Sequence, residues 1–358
     1  MIKLAPLDGR PEKVSGRVVV EDQQGGLLLE DSAGVYWTLE AKDVQSKEVG
    51  AEEFKRVAAG ELGAALKGVV GGNAAVITTK HYVIVSRAGR AYTNWCGSLL
   101  ERLRTGFLAH WEREKVPLSP GDAPLAVVVF QNKSQFAEYA IRDGAAVAVE
   151  TFGYYSARTN RVALYDLSAD ETAGALGDAA SRDEVTRRLS KFPASVATVV
   201  HEAVHQLAFN TGLQVRYADN PMWVSEGLAM YFETPDFGTG TRWTTAGLAN
   251  PWRVREFQAA AANRPADAVT SLVRSDERFQ DAGTAPGAYA ESWALVHFLA
   301  TKRRGEWDAY VKSLRDRGPL VFDSPEERLA GFKNAFGDDL AGLERTVSEH
   351  VRGLKVRR

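Results

Sequence analysis

Apolar positions follow two different periods along the chain. Between about residues 12 and 45, two short runs rich in Val and Leu, 17–21 and 26–30, flank a polar segment with the composition of a hairpin turn. Strand-like runs and amphipathic segments then alternate as far as residue 192, and after Pro193 the spacing is helical almost throughout. Strands followed by helices are typical of an α+β protein.

This pattern predicts three regions. Residues 1–48 form a small antiparallel β unit, residues 49–192 a mixed sheet lobe with flanking helices, and residues 193–358 a mainly helical lobe. The elements predicted within the sheet lobe are a helix at 52–70, strands within 75–86 and at 125–130, helices at 92–114 and 135–141, and a hairpin that joins 153–155 to 160–167. A chain of 358 residues is long enough to divide in this way.

Composition limits the classes of partner. The chain has 44 Lys and Arg against 46 Asp and Glu, a formal charge of -2, so we expect no broad basic surface and no nucleic-acid partner. Cys96 is the only cysteine, which excludes an intramolecular disulfide and a cysteine-rich zinc site and favours a small buried side chain within a helix. The sequence contains no apolar stretch of about 18 residues or more, so no membrane span is expected.

The N-terminal sequence bears on localisation. Its first ten residues lack the apolar core that signal peptides carry. Two locations therefore stay open: the cytoplasm, or an extracytoplasmic compartment reached through a targeting segment that has been removed.

The pattern HExxH occupies residues 201–205, in a segment without a further Gly or Pro after Pro193. Pro193 suits the first turn of a helix, on which His201 and His205 lie one turn apart and can both reach one metal ion. Glu202 is turned about 100° from His201, beside the ion but outside its ligands, where it can take a proton from zinc-bound water. The alternative is a helix with two histidines that bind no metal.

A catalytic zinc site needs a third protein ligand, and a carboxylate commonly completes two imidazoles. Another helix is predicted downstream, with Asn220 as its cap and Pro221 in its first turn. Its apolar residues predict burial, so Glu226 needs a cationic or metal partner and is the expected third ligand. Glu233 is the rival, with a solvated carboxylate or a partner of a zinc-bound histidine as the favoured alternatives. Gly227 is expected to let two helices approach closely.

Residues 201–206 read HExxHQ, and residues 223–233 read WxxEGxAxYxE. Together they resemble the gluzincin metallopeptidases, and within that group the peptidase-MA-like proteins of bacteria. Residues 79–82, 153–155 and 289–299 are similar to the same proteins. The resemblance extends from about residue 50 to the C-terminus and leaves the N-terminal β unit outside it.

The resemblance implies a gluzincin-like fold in which one zinc ion lies in a cleft between the sheet lobe and the helical lobe. In such enzymes the strand before the zinc helix, here Val162 to Leu167, pairs with an extended substrate chain through main-chain hydrogen bonds. Gly153, Tyr154 and Tyr155 are then expected to bind substrate. Ordinary hairpin packing is the alternative role for both tyrosines.

Further roles follow from the same resemblance. Tyr289 lies about sixty residues after Glu226, the spacing at which gluzincin aminopeptidases often carry a tyrosine that stabilises the oxyanion. A tyrosine that caps a buried helix is the alternative, and His297 is expected to be a core or edge histidine and no ligand. The chain lacks the Gly-x-Met-x-Asn type of segment with which aminopeptidases of this clan hold a free N-terminus, so an endopeptidase is favoured.

These residues predict zinc-dependent hydrolysis of a peptide or protein substrate. Zinc lowers the pKa of bound water from about 15.7 toward about 7, and Glu202 takes the proton as the water attacks and later delivers it to the leaving amine. The competing prediction is an inactive zinc-containing binding or scaffold protein with a peptidase fold. Glu202 argues against it, because a structural zinc site needs no general base and is usually closed by a fourth ligand.

Overall fold

The computed structural model describes residues 1–4, 11–168, 178–238 and 240–355. They form an α+β protein, which confirms the predicted class: small sheets at the N-terminus, then a mixed sheet, then a helical C-terminal region. The chain divides into two compact units. The sheet unit is Met1–Glu101 with Gly121–Lys191, and the helical unit is Arg102–Pro120 with Phe192–Arg358.

Every described strand lies before residue 166, whereas the helices extend to Gly353. The strands are β1 (Ile2–Leu4), β2 (Lys13–Val14), β3 (Gly16–Glu21), β4 (Leu27–Asp31), β5 (Tyr36–Leu39), β6 (Val44–Lys47), β7 (Ala75–Thr78), β8 (Tyr82–Ser86), β9 (Leu125–Phe130), β10 (Gly153–Ser156) and β11 (Arg161–Tyr165). The helices are α1 (Ala59–Val70), α2 (Arg90–Arg113), α3 (Lys133–Arg142), α4 (Arg182–Leu189), α5 (Pro193–Asn210), α6 (Met222–Phe232), α7 (Pro251–Ala260), α8 (Ala268–Arg274), α9 (Glu277–Gln280), α10 (Ala285–Lys302), α11 (Arg304–Arg315), α12 (Pro325–Phe336) and α13 (Leu340–Gly353). Among the described helices, none combines the length and the apolar character that crossing a membrane requires.

The N-terminal β region contains the sheets β2-β1-β6 and β3-β4-β5. The predicted turn joins β3 to β4: the Asp22 carboxylate accepts hydrogen bonds from the amides of Gln24 and Gly26 over 2.7 and 2.8 Å. Gly25, with φ +86°, takes the left-handed conformation that this turn requires. Six buried side chains of the region form one small core: Ile2, Leu4, Val14, Leu27, Leu29 and Leu39.

The mixed sheet has the order β10-β11-β9-β8-β7, in which β11, β9 and β8 are parallel and the two outer strands are antiparallel to their neighbours. Every residue of β9 is buried, as expected of a strand covered on both faces. On one face, Leu66 of α1 and Phe136 of α3 belong to the same core cluster as Val128 of β9. On the other face lies α2, where a Cβ added to Gly97 would stand 3.3 Å from Ile84.

Two expectations about the sheet unit are wrong. The helix predicted over 52–70 begins only at Ala59, because the backbone before it is used elsewhere: the amide of Val57 donates to the carbonyl of Ser32. The strand expected to pair with substrate, Val162 to Leu167, lies at β11, which already pairs with a strand on each side. Among the strands that the structure describes, β10 and β7 are the edges of this sheet.

Helix α6 packs against both α5 and α10 in the helical unit. At Gly227 of α6, an added Cβ would stand 2.5 Å from Cγ2 of Val296 and 2.7 Å from the carbonyl oxygen of Ser292, both on α10. No side chain larger than hydrogen fits there without movement, which confirms that Gly227 lets two helices approach closely. The close approach of α6 to α10, next to Glu226 in the chain, therefore depends on this glycine.

Candidate metal centre

Helix α5 carries both histidines of the HExxH pattern. Pro193 occupies its first turn, where the missing amide proton of proline costs no hydrogen bond, and the helix continues to Asn210. His201 and His205 are one turn apart, and their rings lie 4.8 Å from each other with planes at 78°. The helix therefore presents two imidazoles together on one face.

Helix α6 brings Glu226 to the same place. The Nε2 atom of His201 lies 3.0 Å from Oε2 of Glu226, and the Nε2 atom of His205 lies 3.5 Å from Oε1. One potential ligand atom from each of the three residues lies within 4.8 Å of the other two. Their side chains are 11 to 15% exposed, so the group is enclosed on most sides and still reaches solvent. The structure thus brings together the three predicted ligands, which we call the ligand cluster.

Glu233 lies on the other side of the His201 ring. Its Oε2 atom is 3.1 Å from Nδ1 of His201, whereas Glu226 faces Nε2. Arg253 donates to both oxygens of Glu233, over 2.6 and 3.0 Å, and Asn250 donates to Oε1 over 3.1 Å. The Glu233 side chain is 3% exposed. It therefore contacts a histidine of the ligand cluster from behind and is not one of the converging groups.

The charges of these groups shift one another's pKa values. Burial alone lowers the pKa of His201, but its hydrogen bonds to Glu226 and Glu233 raise it to about 10. Burial alone raises the pKa of Glu226, but the charge and hydrogen bonds of His205 and His201 hold it well below its usual range. The hydrogen bonds from His201 and Arg253 likewise lower the pKa of Glu233 against the effect of burial. The point where the three side chains meet therefore favours a positive charge.

Glu202 and Tyr289 lie within electrostatic reach of the ligand cluster. The charge of Glu202 contributes to the raised pKa of His201. Burial and the charges of Glu226 and Glu202 raise the pKa of the Tyr289 hydroxyl. The Tyr289 ring packs edge-on against Phe279 at 5.3 Å, and in the described part of the chain its hydroxyl has no hydrogen-bond partner. That hydroxyl is available to donate to a bound group.

The residues predicted to bind substrate belong to the sheet unit. Gly153, Tyr154 and Tyr155 begin the edge strand β10. The Tyr154 hydroxyl donates to Asp143, and the Tyr155 hydroxyl donates to Asn160, each over 2.9 Å. The ligand cluster is built from the helical unit alone, and the substrate-binding role of these three residues stays a prediction.

His297 lies apart from the ligand cluster, in the core, as expected. It is 3% exposed, its Nδ1 atom is 2.9 Å from Nε2 of His350, and its Nε2 atom is 3.1 Å from the carbonyl oxygen of Gly247. Burial and the neighbouring imidazole lower the pKa of His297 to about 4. It is therefore a neutral core residue at pH 7.

Sequence reasoning missed Asn250 and Arg253. The only signal in this segment is local: Asn250 and Pro251 start α7, with the Asn250 side chain accepting from the Trp252 amide over 3.0 Å. Nothing in that pattern connects α7 to Glu233, which lies 17 and 20 residues before the two donors. The connection exists only in the folded chain.

Residues 195–321 match the model of a family described as a protein of unknown function, DUF1570. The match spans about a third of the chain and includes the ligand cluster, Glu233, Arg253 and Tyr289. No curated protein matches the chain. Because the family description assigns no activity, the chemistry of the site is inferred from its residues alone.

Proposed function

We propose that this protein is a zinc-dependent peptidase of the gluzincin type, with one zinc ion per chain and a peptide or protein as substrate. His201, His205 and Glu226 hold the ion, and Glu202 is the general base. The observation that carries the proposal is the convergence of three donor side chains beside a glutamate that is not one of them.

The donor set suits zinc. Imidazole nitrogen and carboxylate oxygen bind zinc at about 2.0–2.2 Å, which places neighbouring atoms of a tetrahedral site about 3.4 Å apart. In the ligand cluster, Nε2 of His201 lies 3.0 Å from Oε2 of Glu226 and Nε2 of His205 lies 3.5 Å from Oε1. Both separations are close to that value, and they join the two imidazoles to different oxygens of the same carboxylate. Three protein ligands leave one position open, as in catalytic sites, whereas structural sites are usually closed by a fourth.

In peptide hydrolysis, the ion and the side chains of the protein supply different parts of the chemistry. When bound, zinc supplies Lewis acidity, which lowers the pKa of water and polarises a carbonyl group. Glu202 takes the proton of the attacking water and delivers it to the leaving amine. Its place directly after His201 turns it about 100° from that ligand around the helix, so it lies beside the reacting groups without filling a ligand position.

Tyr289 is the proposed donor to the oxyanion that develops on the attacked carbonyl. Burial and the charges of Glu226 and Glu202 raise the pKa of its hydroxyl, so the hydroxyl lies within electrostatic range of both carboxylates and stays protonated. The absence of a competing hydrogen bond within the described residues leaves that hydroxyl able to donate when charge develops.

An endopeptidase is favoured because the chain lacks the segment with which related aminopeptidases hold a free N-terminus. The second candidate is a zinc-containing binding or scaffold protein without activity. Glu202 supports the enzyme, since metal binding alone gives no use for a carboxylate beside the ion.

The test is hydrolysis of unfolded casein and of a peptide library by the zinc-loaded protein, with new termini identified by mass spectrometry. We expect internal cleavage that a chelator stops and added zinc restores. Glu202→Gln preserves the size of the side chain but cannot accept the proton, so zinc should stay bound while the rate falls about 10²- to 10⁴-fold. Glu349→Gln, at an exposed position of α13, is the matched control and should keep the full rate.

The outcomes separate the two candidates. A wild-type rate in Glu202→Gln would contradict the mechanism. If the protein binds zinc through the three residues of the ligand cluster but cleaves no member of the library, this result would favour the scaffold protein.

A further inference from the structure

The carboxylate of Glu233 is held by a complete set of donors. A carboxylate offers about four acceptor sites. His201 Nδ1 and Arg253 Nη2 approach Oε2 over 3.1 and 3.0 Å, and Arg253 Nε and Asn250 Nδ2 approach Oε1 over 2.6 and 3.1 Å. The side chain is 3% exposed, and apart from the equivalent half-turn that exchanges its two oxygens, a rotation of this carboxylate breaks at least one of these contacts.

We propose that Arg253 is a positioning residue of the metal site. Together with Asn250 it fixes Glu233 in the orientation in which the carboxylate accepts the Nδ1 proton of His201. The ring of His201 is then held with Nε2 directed at Glu226, the arrangement that three-ligand binding needs. Arg253 itself touches neither ion nor substrate and acts through Glu233.

The geometry explains why this residue is an arginine. Two nitrogens of one planar guanidinium reach the two oxygens of Glu233, so the fork defines the plane of the carboxylate as well as its place. The third nitrogen, Nη1, donates to Glu256 over 2.8 Å, which anchors the guanidinium from its far side. A lysine at this position keeps the charge but supplies a single point of contact.

Asn250 is oriented by a separate constraint. It is fully buried, and its Oδ1 atom accepts from the Trp252 amide as the cap of α7, which leaves Nδ2 to donate to Glu233. The start of α7 therefore delivers both donors to Glu233: Asn250 from the cap and Arg253 from the first turn. Removal of a group that holds a ligating histidine in place commonly weakens metal binding by about 10- to 100-fold.

The inference rests on the metal site of the proposed function and does not require peptide hydrolysis. Its test is the zinc affinity of the full chain, measured by competition with a chromophoric chelator, beside the visible spectrum of the Co²⁺-loaded protein. We expect Arg253→Gln to weaken zinc binding about 10- to 100-fold and to change the Co²⁺ spectrum, since the His201 ring loses its fixed orientation. Arg255→Gln, at an exposed position two residues along the same helix, removes the same charge and should change neither.

A double variant separates positioning from plain stabilisation. If Arg253 acts through Glu233, Arg253→Gln combined with Glu233→Gln should bind zinc no more weakly than Glu233→Gln alone. A lower melting temperature in folded Arg253→Gln with unchanged zinc affinity and spectrum would overturn the proposal, and so would additive losses in the double variant. Should Arg253→Gln not fold, Arg253→Lys decides: weaker zinc binding is expected, and wild-type affinity would refute the role. Because no peptide is present, these results stand whether or not the protein cleaves one.

Discussion

Gly227→Ala tests the close approach of α6 and α10, on which the place of Glu226 depends. The new Cβ would stand 2.5 Å from Cγ2 of Val296, a side-chain atom, and 2.7 Å from the carbonyl oxygen of Ser292, which moves only with α10 itself. Overpacking of this kind costs about 1–3 kcal/mol. Alanine has the better helix propensity, by about 1 kcal/mol, and offsets part of that cost. We expect a net loss of up to about 2 kcal/mol.

The assay is a melting curve beside a zinc titration. A loss of that size lowers the melting temperature by about 2–4 °C for each kcal/mol in a unit of this length. Zinc affinity should fall as well, because relief of the clash displaces α6 and therefore the Glu226 carboxylate relative to α5.

Gly331→Ala is the matched control. Gly331 also lies inside a helix of the same unit, α12, but an added Cβ there meets no atom within 4 Å. The same substitution should therefore stabilise the protein by up to about 1 kcal/mol through helix propensity alone, with zinc affinity unchanged. If Gly227→Ala raised the melting temperature as Gly331→Ala is expected to do, the close contact between α6 and α10 would be refuted.

Three further predictions concern the metal, the oxyanion and pH. Alanine at any residue of the ligand cluster should abolish the binding of about one zinc per chain, measured by elemental analysis; full occupancy in Glu226→Ala with loss in Glu233→Ala would transfer the role to Glu233. Tyr289→Phe should lower kcat about 10²- to 10³-fold at nearly constant KM and melting temperature, because its hydroxyl has no partner to lose in the described residues; an active but less stable variant would move the oxyanion role elsewhere. Burial and the charge of Glu114 raise the pKa of Asp308 to about 6, so its ionisation costs stability as pH rises from about 4 through 6. Asp308→Asn should raise the melting temperature at pH 7 and lose that advantage near pH 4, and a gain independent of pH would contradict this cause.

Local patterns predicted the elements that carry the ligand cluster. The spacing of His201 and His205 requires only a helix, and the apolar residues around Glu226 require only that the second helix be buried. Both conditions are properties of short segments, which is why the sequence suffices for them. The sequence pattern does not show which histidine atoms the two carboxylates approach. In the folded chain, Glu226 faces the Nε2 atoms of both histidines and Glu233 faces Nδ1 of His201.

Features that depend on contacts between distant segments were not predicted. Strand order is one of them, since β11 was expected to be free on one side and has a neighbour on both. Its continuous apolar run, Val162 to Leu164, was a signal for a strand that is covered on both faces, as strands in the interior of a parallel sheet are. The start of α1 is another, because the amide of Val57 binds a carbonyl in the N-terminal β region instead of continuing a helix. The role of Arg253 is a third such feature. Nothing in the sequence distinguishes it from an exposed arginine, and its contact with Glu233 forms only when the chain folds.

Four hydrogen-bond contacts surround the carboxylate of Glu233, and they limit which substitutions this protein can accept under selection. Each of His201, Asn250 and Arg253 supplies a donor that a shorter or differently shaped side chain cannot replace from its own position. A single exchange at one of these sites removes at least one of the four hydrogen bonds that hold the buried carboxylate, and a change at one other site does not restore it. In a library randomised at Glu233, Asn250 and Arg253 and selected for zinc retention, surviving sequences should therefore change these three positions jointly or keep them all, while neighbouring exposed positions such as Arg255 drift independently.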